Sequence, residues 1–177
     1  ISSIEPNLLT DEIIKLTANN SKMADHFHIP LQSGSSKILG KMQRRYNTEF
    51  YKELVLNLNN KIPGIGIGVD VIVGFPGESE EDFLETYNFI KELPVSYLHV
   101  FTYSERPNTS AIDMENSVPI PERKRRNNML RILSEKKRIE YYSKMVGKSV
   151  TVLFEAENHD GLIHGWTSNY VRVQQDY

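Results

Sequence analysis

The sequence predicts an α/β fold in which a parallel sheet with crossover helices is followed by a short antiparallel β unit. Three observations carry this. Apolar, β-branched runs alternate with helical periodicities through the first hundred residues, the pattern of parallel strands joined by helices. The run Val69 to Val73 is apolar on both alternations apart from Asp70, as a strand covered on both faces must be. After Gly147 the periodicity changes to short alternating segments separated by turn residues, which is antiparallel chemistry.

Taken in order, Ile1–Ile4, His26–Leu31, Ile65–Val73 and Val95–Tyr103 read as strands. The first helix opens with Thr10, Asp11 and Glu12 ahead of Ile13, Ile14 and Leu16. A second helical region holds Ile38, Leu39 and Met42 and resumes after Asn47-Thr48 with Phe50, Leu54 and Leu58. The third begins at Ser79, whose hydroxyl can cap the helix while Asp82 reaches back. From Pro121 to Val146 the pattern is one long helix with Met129, Leu133, Ile139, Tyr142 and Val146 on its apolar stripe, ended by Gly147. "KSVTVLFEAE", "GLIHGWTSN" and "YVRVQQ" then read as three strands, the first two joined by "NHDG". Residues 1–146 and 147–177 thus read as two units. The chain starts on a strand and stops inside a β unit too short for a barrel, so a piece of a longer protein is expected.

Mean hydropathy is -0.44 and no run of eighteen apolar residues exists, so a membrane span and a signal peptide are not supported, and a soluble, cytoplasmic chain is expected. With no cysteine, disulfides, thiolate metal sites and cysteine nucleophiles are excluded within these residues. The net charge of -2 hides an asymmetry. Arg123 to Lys148 holds ten Lys or Arg against Glu135 and Glu140, a local charge of +8, and the remainder carries -10.

In a sheet of this class, ligands bind at the carboxyl ends of the strands. Here those ends read "SIEPN", "PLQSGSS", "GFPGES" and "TYSERPNTS", each mixing small residues with polar ones. Any one of them could be an ordinary turn, but four on one rim point to a ligand approached closely by main chain. "GFPGES" is not a phosphate cradle: it lacks the P-loop Lys and Ser/Thr, and Glu78, Glu80, Glu81 and Asp82 would repel a phosphate at the helix start. "GIGIG" precedes its strand and so fails as a dinucleotide fingerprint. Gly74 to Gly77 instead suit contact with a flat apolar group, with Phe75 and Pro76 as its wall and Asp70 as a buried anchor. His26 and His28 share one face of a strand, but no third ligand is near in sequence, so no metal site is assigned. No catalytic triad or paired-carboxylate arrangement can be assembled from spacing.

"SSIEPN", "HFHIPLQSGSSKILGKMQRRY", "DVIVGFPGESEEDF", "YLHVFTYSERPNTSA" and a basic helix before "VTVLFE" follow one another along nearly the whole chain. In this order they resemble the radical S-adenosylmethionine methylthiotransferases, and "SSIEPN" is most similar to the branch acting on tRNA threonylcarbamoyladenosine. The resemblance implies a partial (β/α) barrel of which this chain holds the last four strand-helix units, followed by the start of a TRAM domain that binds RNA. It implies S-adenosylmethionine as cofactor, iron-sulfur clusters held by cysteines that this chain lacks, and the tRNA anticodon stem-loop as partner. The fragment alone is therefore expected to be inactive. By the family pattern Gln32, Ser33 and Gly34 would meet the ribose and methionine of the cofactor, and Asp70, Ile72, Gly74, Phe75 and Pro76 its adenine side, with Phe101 and Tyr103 close by. Glu5, Arg44, Arg106 and Asn108 would grip the substrate nucleotide. Arg123, Lys124, Arg125, Arg126, Lys136, Lys137 and Arg138 would neutralise RNA phosphates, with Lys148, Arg172, Trp166 and Tyr170 adding contacts. No residue is assigned as a catalytic acid or base. Alternatives are a methylthiotransferase acting on isopentenyladenosine tRNA or on a ribosomal protein aspartate, and a module that only binds RNA.

Overall fold

The computed structural model describes residues 1–159 and 161–176. Two three-stranded sheets are present. The first is parallel, ordered β1 (His26–His28), β2 (Gly66–Val73), β3 (Tyr97–Thr102), with His28 beside Gly68 and Asp70 beside His99. Helices α1 (Asp11–Asn19), α2 (Ser36–Lys41), α3 (Thr48–Lys61), α4 (Glu80–Glu92) and α5 (Ile120–Ser143) complete the strand-helix units. The second sheet is antiparallel, β4 (Val152–His159), β5 (Leu162–Thr167) and β6 (Arg172–Asp176). The "NHDG" turn read between the first two of these includes Asp160, which lies outside the described residues. No described helix is long and apolar enough to cross a membrane.

The period-two pattern of β2 sorts its faces. Ile67, Val69, Val71 and Val73 are at most 1% exposed and meet Phe83 and Ile90 of α4, Val55 and Leu58 of α3 and Leu130 of α5 in one apolar cluster. Gly68, Asp70 and Ile72 alternate with them and so lie on the opposite, inner face of the half-barrel. Burying that outer row removes most of the sheet's apolar area from water, the main favourable term in its folding.

Ile1–Ile4 is not a strand. It runs beside β1, with the His28 amide donating to the Ile1 carbonyl (2.9 Å) and the Ile4 amide to the His28 carbonyl (3.2 Å), but Ser3 takes a left-handed backbone (φ 54) that breaks the ladder. Likewise β1 ends at His28, short of the expected Leu31. Pro30 has no amide to donate, and at Gln32 (φ 69) two successive amides, those of Leu31 and Gln32, share the Asp70 carbonyl, a bulge at the strand tip.

The capping box of Ser79 and Asp82 forms as expected. Bonds from the Lys37 ammonium and from the amide and hydroxyl of Ser79 outweigh burial and hold the Asp82 carboxyl down at about 2. The long helix buries Leu133 of the expected stripe and packs Met129 against the core, but Ile139 and Val146 lie off its buried face. Arg123, Arg126, Leu130, Leu133, Ser134, Lys137 and Tyr141 are buried, whereas Ile139 is 65% and Val146 82% exposed. The polar heads on this face find partners, Lys137 on the carbonyls of Lys91 and Leu93 (2.7 and 2.5 Å) and Ser134 on Leu98. A satisfied cation can therefore occupy a position that hydrophobicity alone would deny it.

Gly34 lies where its loop passes closest to α4; a Cβ there would sit 2.7 Å from Thr86 Cα and 3.1 Å from Phe89. Gly34→Ala is expected to lose about 1–3 kcal/mol through overpacking against backbone, read as a lower urea midpoint at unchanged slope.

Candidate functional site

The carboxyl ends of β2 and β3 and the loop after β3 enclose a cleft of ≈ 550 Å³. Ile72, Phe75, Phe101 and Tyr103 supply its apolar and aromatic lining, and Arg44, Arg106, Met42 and Met114 line it as well. The rings of Phe75 and Tyr103 meet edge to face at 5.4 Å. Gln32 joins them through the backbone, its carbonyl accepting the Ile72 amide at 2.9 Å. Gln32, Phe75 and Tyr103 thus converge at one end of the sheet.

The wall is built from behind by two buried arginines. Glu78 turns its carboxylate back onto the Gly74 amide (3.0 Å) and receives Arg126 at 2.6 Å, which fixes the Gly74-to-Gly77 turn carrying Phe75. Burial pushes the Glu78 carboxyl up, against the pull of the Gly74 amide and Arg126. Arg123 packs its methylenes against Gly74, where a Cβ would lie 2.3 Å from Arg123 Cγ. Its head donates to the carbonyls of Val118 (2.6 Å) and Tyr103 (2.9 Å), to Glu105 (2.6 Å) and to the Ser117 hydroxyl (2.7 Å), tying down the loop that closes the cleft. That contact holds the Glu105 carboxyl below the usual range.

Among the described residues, two buried polar atoms of side chains that line this cleft meet no partner: Nε of Arg44 and the hydroxyl of Tyr103. Arg44 is held by a 2.9 Å bond from its Nη1 to Glu5. Burying such groups unpaired costs about 1–3 kcal/mol each, a cost that a molecule carrying hydrogen-bonding groups of its own would offset.

Of the expected site residues, Ile72, Phe75, Phe101, Tyr103, Arg44 and Arg106 line the cleft. Gly74 and Pro76 are buried behind its wall, and Glu5 acts through Arg44. Asn108 is exposed on the loop, in a left-handed turn (φ 64), and does not line the cleft. Ser33 and Gly34 do not face it either. The Ser33 hydroxyl bonds Thr86 (3.2 Å) and the Gly34 amide bonds the same oxygen (3.1 Å), so this loop is bolted to α4; Gln32 is half-buried at the same end of the sheet but does not line the cleft. Arg123 and Arg126, each 4% exposed, are spent inside the protein and cannot meet RNA phosphates, and the same holds for Lys137 at 8%. Arg125 and Arg138 pair with Glu80, Glu122 and Glu135 on the surface. Lys124, Arg131 and Lys136 remain exposed on α5 and make no ion pair among the described residues.

Asp70 is engaged away from the cleft, its carboxylate 2.8 Å from His28 Nε2, with His99 close by. Neither Asp70 nor His99 is near His28 in sequence; the fold brings them together from β2 and β3, while His26 turns to Tyr97 and Tyr170.

The antiparallel sheet docks at the other end of the strands. The Tyr141 hydroxyl and the Asn169 amide both donate to the Gly64 carbonyl (3.0 and 2.8 Å), Tyr141 also bonds Asn169 O (2.9 Å), and Tyr170 stacks on His26 at 4.2 Å. The eight residues of β2 put this contact roughly 23 Å from the cleft. Arg172 lies there, paired with Glu155 and over the Trp166 ring at 4.9 Å, and Lys148 lines a hollow beside Gly64.

The parallel half-barrel with its ligand end at the strand tips is matched by a family model. Residues 2–90 fit the one described as the radical SAM superfamily. The chain belongs to the radical SAM superfamily. That match includes Gln32, Arg44 and the Asp70-to-Pro76 segment, but not Phe101, Tyr103 or the closing loop. Curated relatives run further along this radical SAM chain. Threonylcarbamoyladenosine tRNA methylthiotransferase MtaB of Bacillus subtilis is 41% identical over 98% of the chain and 39% of the relative, and that of Aquifex aeolicus is 43% identical over 99% and 42%. The tRNA-2-methylthio-N(6)-dimethylallyladenosine synthase of Endomicrobium trichonymphae is 42% identical over 95% and 40%. The radical SAM chain thus spans about two fifths of the length of these relatives. Coproporphyrinogen III oxidase (HemN) from Escherichia coli shares the fold, with a TM-score of 0.58 at 21% identity over 84% of this chain and 34% of that one.

Proposed function

We propose that this chain is the barrel portion of a tRNA methylthiotransferase, that its strand-tip cleft holds the adenine of S-adenosylmethionine, and that residues 147–177 begin a TRAM domain. The observation carrying this is the pairing of an aromatic wall with two orphaned polar atoms, Arg44 Nε and Tyr103 Oη, in a cavity of nucleoside size. Ile72, Phe75, Phe101 and Tyr103 offer stacking and exclude water, and Arg44, oriented by Glu5, supplies a donor. Bound there, S-adenosylmethionine would supply radical chemistry and the methyl group, the protein supplying placement. An iron-sulfur cluster does not fit the residues present, because the chain has no cysteine.

The relatives' names support tRNA as substrate, and the MtaB likeness supports threonylcarbamoyladenosine as the modified nucleoside. Lys124, Arg131 and Lys136 are the cations of α5 best placed to meet phosphates.

Equilibrium dialysis of S-adenosylmethionine against the chain tests the cleft. Phe101 is 52% exposed, so Phe101→Ala should leave folding intact and weaken binding about tenfold through lost stacking. Unchanged affinity, or no binding by the parent, would sink the assignment. Nucleoside mass spectrometry of tRNA from a strain lacking the gene tests the substrate: loss of the methylthio group from threonylcarbamoyladenosine is expected, and its loss from the dimethylallyl nucleoside instead would move the protein to the other branch.

A further inference from the structure

We infer that His28, Asp70 and His99 form a binding site for one divalent transition-metal ion on the inner face of the half-barrel. Their ligand atoms all lie within 4.8 Å of one another. The three residues come from three adjacent strands. Asp70 and His99 are register partners, and His28 stands next to them on β1, so the sheet itself, not a loop, sets their spacing. Such placement is the more rigid kind of site.

The surroundings match those of a ligand set. The His28 Nε2 points at Asp70 Oδ1 (2.8 Å), while its Nδ1 is bonded to the Ser3 hydroxyl at 3.2 Å, so one ring nitrogen is anchored and the other directed at the cluster. An outer bond of this kind orients a coordinating imidazole. The His99 ring stands edge-on between those of His28 (5.3 Å) and Tyr97 (5.2 Å), which limits its rotation. His28 and Asp70 are largely covered, with side chains 13% and 19% exposed, and the exposed His99 leaves a path for entry. The neighbouring cavity of ≈ 590 Å³, lined by both histidines, leaves space for water or another ligand at the remaining coordination positions.

Two imidazoles and one carboxylate select zinc, cobalt, iron or nickel over magnesium or calcium, which take oxygen donors. Three protein ligands leave a coordination position open. The site lies two residues below Ile72 and Phe101 on the same strands, about 7 Å from the cleft wall. It rests on none of the residues that the cofactor assignment needs, so either reading can fail without the other.

The test is a titration of the chelator-treated chain with Co2+, followed by visible ligand-field absorption, with Zn2+ as competitor. One equivalent should bind, with displacement by Zn2+. Because His99 is exposed, His99→Ala should keep the parent's urea midpoint and yet weaken Co2+ binding by at least about tenfold, the floor that loss of even an outer partner sets. Asp70→Asn should weaken it as well. The inference is overturned if the parent develops no ligand-field band, or if His99→Ala binds Co2+ as tightly as the parent.

Discussion

Arg126→Met is expected to cost about 3–5 kcal/mol of folding stability, a large part of the roughly 5–15 kcal/mol that a domain possesses. The pair it breaks is enclosed, with the Arg126 side chain 5% and that of Glu78 1% exposed, joined at 2.6 Å. Methionine replaces the volume and the contact with Phe83, whose ring lies 5.3 Å below the guanidinium, but not the charge. Glu78 would then be a carboxylate out of water with, among the described residues, only the Gly74 amide to meet it. Adding Glu78→Gln should restore about 2 kcal/mol, because a neutral amide keeps an acceptor for Gly74 without an uncompensated charge. Urea midpoints of the two variants decide the matter. If the double variant is no more stable than the single one, a stranded charge is not what makes the pair necessary. The variants should also weaken S-adenosylmethionine binding, since the same bonds hold the turn that presents Phe75.

Acidification should undo the seam between the two sheets. His26 is 7% exposed, and burial, followed by the Ile1 ammonium and His28, pulls its imidazole down to about 4. The unfolded chain takes up this proton near pH 6.5 and the folded chain resists to about pH 4. A lowered folded value means that the stabilisation is complete above about pH 6.5 and is lost as the pH falls through 4. The shift corresponds to about 2–3 kcal/mol once the partly solvated Ile1 ammonium is discounted. His26→Phe keeps a ring under Tyr170 and removes the titration. Its urea midpoint should therefore fall less than the parent's between about pH 6.5 and pH 4, and parallel curves would show that His26 is not responsible. Asp82 adds a second acid limb, since its bonds to Lys37 and Ser79 are lost only as the pH approaches about 2.

Much of this architecture could be read from residue order. The Val69–Val73 run, the Ser79 box and the change of period after Gly147 each depend on neighbours in sequence, and each is found in the fold. The strand-tip cleft was legible for the same reason: a parallel sheet puts every strand's last residues on one rim, so Ile72, Phe75, Phe101 and Tyr103 meet whatever the helices do. What escaped depends on partners far along the chain. Arg123, Arg126 and Lys137 look like a solvated stripe until Glu78, Tyr103, Leu93 and their neighbours are brought against them. Ser33 and Gly34 look like ligand loops until Thr86 arrives fifty residues later. His99 carries no local signal at all, being one polar residue in an apolar strand, and only the register of β2 with β3 sets it beside Asp70. The Ser3 backbone, which denies Ile1–Ile4 its strand, has no side-chain signature.

The seam also gives the molecule an optical reporter. Trp166 is the single tryptophan of the chain, and it caps a column of rings running through Tyr170 to His26. Indole emission is sensitive to a neighbouring cation and to water, so separating the sheets should alter the signal from a position some two nanometres away from the cleft. One fluorescence trace could therefore tell a chain that has come apart at its joint from one that has merely released its ligand.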